Sequence, residues 1–407
     1  MYEWSEEHLA VAEAVRRFVD DEIRPILDDL EFGDLPPYGI LRKLFATFGM
    51  DQLAREGFKR QLERKVAGDS GAAESRREGG GRAGFTLIPI IELCKVSPGL
   101  VTSLGVSTGL AGGTIMKLGT PEQMERFGLD LLTLEKVGAW AITEPDSGSD
   151  ALGGMRTTAR RDGDEYVLNG QKTWITNGPY ADTIVCYAKL DDGSDAELRH
   201  RPVVTFILSA DMEGLVRSKP MRKMGQHASP TGELFFADVR VGRDRLLGGS
   251  ETPAGGGRAS AKDNFVTERA GVAAMSLGII EECLRLSVDY AKSRMLWGKP
   301  ISEFQLIQLK LARMEVARVN TQNLVFSHLE RSAAGSTPTL AEASAMKLYA
   351  AQAAFDVAND AIQLFGGNGY VSEYRVEQLA RDARVLQIYA GTDEIQVVAI
   401  AKDLLNR

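Results

Sequence analysis

From Asp263 to Lys299 the chain reads DNFVTERAGVAAMSLGIIEECLRLSVDYAKSRMLWGK, with apolar residues at Phe265, Val266, Val272, Ala273, Leu277, Ile280, Leu284, Val288 and Ala291. That i, i+3, i+4 recurrence requires a long amphipathic helix, with Asp263 as its expected N-cap and Arg285, Asp289 and Lys292 on the far side. Glu268 falls elsewhere. At about 100° per residue it lines up with Val272, Met275 and Ile279, at the edge of the apolar stripe and near the expected positive end of the helix dipole. Such a carboxylate is either a dipole-stabilising residue or a general base whose pKa is raised by apolar surroundings. Arg294 lies 26 positions further on, so a straight helix holds the two about 39 Å apart. They cannot serve one compact site within one subunit.

The rest of the chain must supply a partner for that helix, and its patterning changes twice. Residues 1–136 read as mostly helical, with Ser5 as a cap and further apolar-periodic segments at Tyr38 to Leu53 and Leu87 to Leu118. Within them Lys59 to Gly84 is charged, then rich in Gly and Ser, and reads as a loop or helix extension. From 137 to 250 the period becomes that of strands: EYVLNGQKTWITNG carries Asn169-Gly170 between alternating arms, a hairpin signal, and TIVCYAKL, VVTFILS and ELFFADVRV follow. Gly248 to Lys262 reads as a linker. Residues 251–407 then form a helical bundle, with further helices near Phe304 to Arg331, Leu340 to Phe365, Glu373 to Arg384 and Glu394 to Leu405. The fold class is therefore α+β: an N-terminal helical domain, a middle β domain and a C-terminal helical bundle.

Composition narrows the function. A formal net charge of −8 without a basic block points away from nucleic acid. Cys94, Cys186 and Cys283 sit in apolar or helical contexts and read as buried thiols of a reducing compartment, and the four histidines are too scattered for a metal site. The acidic N-terminus lacks a signal or transit pattern, and no apolar run approaches the ~20 residues needed to cross a bilayer, so a cytoplasmic protein with no membrane or metal is expected.

Four stretches are richer than core packing needs: AWAITEPDSGSD (139–150), KTWITNG (172–178), SRMLWGKPISEFQ (293–305), and QLFGGNGY (363–370) together with RDARVLQIYAGTDEIQ (381–396). In the first, small residues let backbone N–H groups approach an electron-rich ligand. In the second, Trp174 and Thr176 share a strand face, placing a flat surface beside a hydroxyl. Each alone has a bland reading as a turn, a core aromatic, a helix cap or a surface cation.

Their order, on either side of a β domain, resembles the acyl-CoA dehydrogenase family over nearly the whole chain, from GTPEQMERFG to YAGTDEIQ. The resemblance implies a middle β domain of barrel or sandwich type and a C-terminal four-helix bundle, with FAD as cofactor, an acyl-CoA substrate, an electron-transfer flavoprotein as electron acceptor, and a homo-oligomer, dimer or tetramer. It places Ile142, Thr143, Gly148 and Ser149 along the flavin, Trp174 over its ring and Thr176 at N5, with Thr392 and Glu394 as the last contacts. Arg294, Trp297, Gln305, Gln363, Gly366 and Gly367 would hold the pyrophosphate and adenosine of a neighbouring subunit's FAD, which agrees with the distance from Glu268. Ser149, Arg269, Ala390 and Gly391 would meet the thioester, while Val106 and Leu110 would floor the acyl pocket. The small residues around them imply a roomy pocket for a long or branched chain.

One departure matters most. Where many members carry a catalytic Glu before the Gly-Thr of the last motif, this chain has Ala390. Glu268-Arg269 instead resembles the pair of a smaller branch that includes isovaleryl-CoA and long-chain acyl-CoA dehydrogenases. Glu268 would then take the α-proton while the β-hydrogen leaves as hydride to flavin N5, giving a trans-2-enoyl-CoA, with a backbone N–H of Ala390 polarising the carbonyl. The rival expectations are a non-catalytic flavin- or acyl-CoA-binding subunit, its usual Glu lost, and an acyl-CoA oxidase.

Overall fold

A computed structural model describes residues 4–68, 84–251, 256–336 and 338–406, with side chains excepted over 256–264. The N-terminal helices are α1 (Glu6–Phe18), α2 (Leu27–Phe32), α3 (Tyr38–Thr47), α4 (Met50–Val66), α5 (Gly84–Cys94), α6 (Pro98–Leu104), α7 (Gly113–Leu118), α8 (Pro121–Gln123) and α9 (Leu129–Leu132). Ser5 caps α1 by accepting from the His8 N–H. The expected Tyr38 to Leu53 segment divides at Gly49, whose φ of 61° is left-handed and ends α3 before α4 begins. Charged residues 59–66 extend α4, and the Gly-rich 69–83 lie outside the described residues.

Leu87 to Leu118 is likewise two pieces, because Pro98 cannot continue α5 and starts α6 instead. From Pro98 the helix runs 21 residues to Leu118 through a π-helical stretch, Gly105–Gly112, and is long and apolar enough to cross a membrane. This overturns the expectation that no apolar run approaches that length; Gly, Ser and Thr dilute the run in the sequence. Over half of it is buried within the fold: a Cβ on Gly138 would stand 2.8 Å from that of Ala111, so strand and helix touch through small residues.

The middle domain is one hydrogen-bonded, seven-stranded sheet of β1 (Gly138–Ala141), β2 (Thr158–Asp162), β3 (Glu165–Thr176), β4 (Thr183–Asp191), β5 (Val203–Ser209), β6 (Leu215–Arg217) and β7 (Thr231–Gly242). β1 and β2 pair parallel to β4, and the other pairings are antiparallel. The expected Asn169-Gly170 hairpin is absent. β3 runs through both residues, with a register shift there, and the turn lies at Gly163 (φ 62°), where Asp162 pairs with Glu165. The core of this domain is the inner face of the sheet, with Ala139, Leu168, Ile184, Cys186, Phe206 and Leu234 all fully buried.

The C-terminal domain is α10 (Gly256–Ser293), a two-stranded ribbon of β8 (Met295–Leu296) and β9 (Lys299–Pro300), then α11 (Gln305–Ala333), α12 (Leu340–Phe365), α13 (Val376–Arg384) and α14 (Asp393–Leu405). Asp263 is therefore not an N-cap. α10 starts at Gly256 and absorbs half of the expected linker, so Glu268 lies more than three turns inside it. This removes the dipole explanation for Glu268, since that field fades within the first turn. α12 meets α10 through Ala350, Ala351, Ala354, Ala358 and Ala361, all fully buried, against Ala273, Ala274, Ile279, Ile280 and Cys283. Alanines bring the two axes close, which matters for the polar residues that α12 carries toward Glu268. All three cysteines are free and buried.

Candidate active site

Glu268 is half-buried, and among the described residues no group donates a hydrogen bond to it. Burial pushes its pKa up to about 7, against the downward pull of Arg269 and Lys347. The neighbouring Arg269 is buried, and its guanidinium spans from α10 to two other elements. Nη1 donates to Ser344 Oγ on α12 at 2.9 Å, Nε reaches the Ala390 carbonyl at 3.5 Å, and the cation lies 5.7 Å from the Phe265 ring.

Ala390 and Gly391 form a left-handed turn, with φ of 55° and 86°. Their carbonyls are tied inward: Gln396 Nε2 donates to Ala390 O at 3.0 Å and to Gly391 O at 2.7 Å, and Lys347 Nζ donates to Gly391 O at 3.0 Å. Among the described residues the Ala390 N–H has no acceptor. The fold thus assembles a proton acceptor with a near-neutral pKa, a buried cation pair and a spare backbone donor from α10, α12 and the turn before α14. Thr392 caps α14 by accepting from the Ile395 N–H at 3.4 Å, and Glu394 is exposed in its first turn.

The sheet supplies a second face. Trp174 sits at a β3 bulge with φ 59°, which turns its ring out of the sheet and leaves it 63% exposed, while Ile175 is buried and Thr176 half-buried. The Thr173 N–H donates to Thr143 O at 2.9 Å, and Lys172 Nζ donates to Ile142 O at 3.2 Å, so the bulge and the TEPDSGSD loop are held together. Glu144 anchors that loop: it accepts from Lys172 at 2.8 Å and from the Arg156 and Thr157 N–H groups at 2.6 and 2.9 Å. Gly148 has open space where a Cβ would stand, and Ser149 is exposed. Gly105 and Gly109, beside Val106 and Leu110, are also open. A broad exposed aromatic beside a hydroxyl, and glycines facing free space, suit the flat, electron-accepting ring of a flavin.

A third group lies at the other end of α10. Arg294 is exposed and makes no ion pair among the described residues; Trp297 is 83% exposed at the tip of the β8–β9 turn, and Gln305 opens α11. Tyr290 of α10 stacks on Phe365 at 4.1 Å, and its hydroxyl accepts from Asn368, which brings Gln363, Gly366 and Gly367 to this end. α10 is unbroken from Gly256 to Ser293, so about 39 Å still separates this group from Glu268. Lys347, Ser344, Gln396 and Glu144 escaped the sequence reading. The available signal was a lysine and a serine at i, i+3 on the alanine face of α12.

Family models for the acyl-CoA dehydrogenase N-terminal, middle and C-terminal domains match residues 5–135, 139–239 and 255–405. The chain is 35% identical over 403 residues to a 3-(aryl)acrylate reductase of Clostridium sporogenes, covering 99% of this chain and 100% of that protein. It is 33% identical over 405 residues to the caffeyl-CoA reductase-Etf complex subunit CarC of Acetobacterium woodii, covering 99% and 100%. Among solved structures, butyryl-CoA dehydrogenase from Megasphaera elsdenii superposes with a TM-score of 0.83 at 31% identity, covering 100% of both chains. Short-chain enzymes thus stand among the relatives, and overall similarity does not support the closeness to the isovaleryl and long-chain branch expected from Glu268-Arg269.

Proposed function

The chain belongs to the acyl-CoA dehydrogenase family, and on that premise we propose that Glu268 is its general base, with Ala390 supplying the oxyanion donor. It is a flavoprotein oxidoreductase that dehydrogenates the CH–CH bond of an acyl-CoA thioester. The observation that carries the proposal is the raised proton affinity of Glu268, whose neighbour Arg269 reaches the carbonyl of Ala390, the position that lacks a carboxylate. Ionised, Glu268 takes the α-proton of the thioester. The Ala390 N–H and the cations behind it lower the charge that this builds on the carbonyl oxygen, and a donor of that kind is worth about 3 kcal/mol.

FAD, when bound, supplies the acceptor for the hydride that leaves the β-carbon, so that the product is a trans-2-enoyl-CoA. Ile142, Thr143, Gly148, Ser149, Trp174, Thr176, Thr392 and Glu394 would hold the flavin of one subunit. Arg294, Trp297, Gln305, Gln363, Gly366 and Gly367 would hold the pyrophosphate and adenosine of another subunit's cofactor, which the length of α10 and the exposure of Arg294 support. A dimer or tetramer follows from that division. The CarC relative is named for a complex with Etf, which supports an electron-transfer flavoprotein as the redox partner.

Open space beside Gly105 and Gly109 supports a roomy acyl pocket over Val106 and Leu110, and the base position favours a branched or long chain. Butyryl-type relatives favour a short one. Anaerobic mixing of the yellow holoenzyme with straight and branched acyl-CoAs decides between these, with flavin absorbance followed for wild type and Glu268→Gln. Bleaching by one chain class in wild type, abolished in the variant, is the expected result. Equal bleaching in both removes Glu268 from the mechanism, and bleaching confined to butyryl-CoA or shorter removes the roomy pocket.

A further inference from the structure

The helix that faces Glu268 carries a lysine with no surface at all. Lys347 is 0% exposed on α12, in a row of alanines, at a position where the packing pattern calls for an apolar residue. A buried ammonium is expensive unless its protons are used. Two uses are visible: Nζ donates to Gly391 O at 3.0 Å and to Asp393 Oδ1 at 3.3 Å. One turn earlier on the same face, Ser344 accepts from Arg269. Helix α12 therefore grips both the residue after the base and the turn that bears the oxyanion donor.

The charges around this point are few and come from every element packed there. Arg269 sits beside Glu268 on α10, Lys347 comes from α12, Tyr389 from the segment before the turn, and Asp393 and Glu394 from the start of α14. Asp393 also accepts from Gln352 at 3.2 Å, which fixes the carboxylate that faces Lys347. Arg269 and, after it, Lys347 are the cations that act on Glu268. Tyr389 donates toward Met275 Sδ at 3.5 Å and supplies no competing charge.

Resting on Glu268 as the base, we infer that Lys347 is a positioning residue for the reaction: its buried ammonium fastens the Ala390-Gly391 turn and adds to the charge that Arg269 places beside Glu268. Burial alone favours the protonated carboxyl, and Arg269, then Lys347, oppose it. The enzyme keeps a usable fraction of carboxylate near neutral pH without a hydrogen bond that would blunt the base.

The test is the pH dependence of kcat/KM for Lys347→Met, Lys347→Arg and Asp393→Asn in the holoenzyme. Lys347→Met is expected to move the acid midpoint upward by about one unit, read as about a tenfold loss on the acid limb with the alkaline plateau held within about threefold. Lys347→Arg restores the wild-type midpoint. Asp393→Asn, which unmasks Lys347, moves the midpoint the other way and keeps the inference testable if Lys347→Met does not fold. A loss that is uniform across pH with an unmoved midpoint, or no change in any variant, overturns it. Glu268→Gln separates the two ideas: if it leaves the profile intact the base assignment fails, and if it abolishes turnover while the Lys347 and Asp393 midpoints stay put, only the role of Lys347 fails.

Discussion

Glu144 and Glu268 are both carboxylates withdrawn from water near the same proposed flavin, and they end in opposite states. For each the largest influence is burial, which favours the protonated form. Glu144 overcomes it with a buried lysine and two backbone N–H donors, and its pKa falls below the ordinary range. Glu268 has cations nearby but no donor, and its pKa rises to about 7. The charge of a lysine in direct contact, joined by directed hydrogen bonds, holds Glu144 as an anion that braces a loop, whereas cations near Glu268 that make no hydrogen bond to it leave its proton affinity raised.

That contrast breaks most clearly in activity. Glu268→Gln is expected to lower turnover by about 10²- to 10⁴-fold while leaving thermal stability unchanged or slightly raised, since a poorly solvated carboxyl is removed. Single-turnover flavin bleaching and a melting curve read the two quantities on one sample. Glu144→Gln should do the reverse, costing about 3–5 kcal/mol because Lys172, with no exposed surface, is left charged and unpaired. Denaturant midpoints check this, and a variant as stable as wild type would mean that Lys172 finds another anion.

Gly391→Ala should cost about 1–3 kcal/mol, because φ is 86° there and the new Cβ would stand 2.8 Å from Gln396 Nε2. It should also weaken turnover by displacing the Ala390 N–H, whereas Gly148→Ala, with open space at its Cβ, should leave stability almost untouched. The smallest expected effect is the tilt of stability with pH. The raised pKa of Glu268 means that the folded state holds the extra proton between about 4.5 and 7, so its contribution is full below about 4.5 and is lost as pH rises through about 7. The lowered pKa of Glu144 gives the opposite slope, a contribution present above about 4.5 and lost as pH falls below it. Denaturant midpoints across pH, compared for wild type and each Gln variant, should show the two slopes disappearing separately.

Much of the fold was legible because period and turn chemistry are local properties. Leu340 to Phe365 was bounded to the residue, with Thr339 and Glu342 forming a reciprocal cap, and three strands fell where alternation put them. The misreadings also have physical causes. Asn169-Gly170 looks like a turn, yet β7 pairs along β3 on both sides of it and converts the glycine into a bulge. Gly256 to Lys262 looks like linker, yet it continues α10, an outcome that propensity alone does not give. The site divided in the same way: Glu268, Arg269 and the loss at Ala390 could be read from a motif, but Lys347, Ser344 and Gln396 could not.

By itself the sequence determined the three-part architecture, the family, the missing carboxylate at 390 and a length of helix that keeps Arg294 away from Glu268. Each of these follows from spacing along one strand or helix, or from residue identity in a motif. Only the tertiary structure decided that Glu268 lies deep inside α10 and not at its dipole, and that it faces a left-handed turn held by a lysine from α12 and a glutamine from α14. Proton affinity and hydrogen-bond satisfaction depend on which groups converge in space, and residues 268, 347 and 390 converge only once the helices have packed.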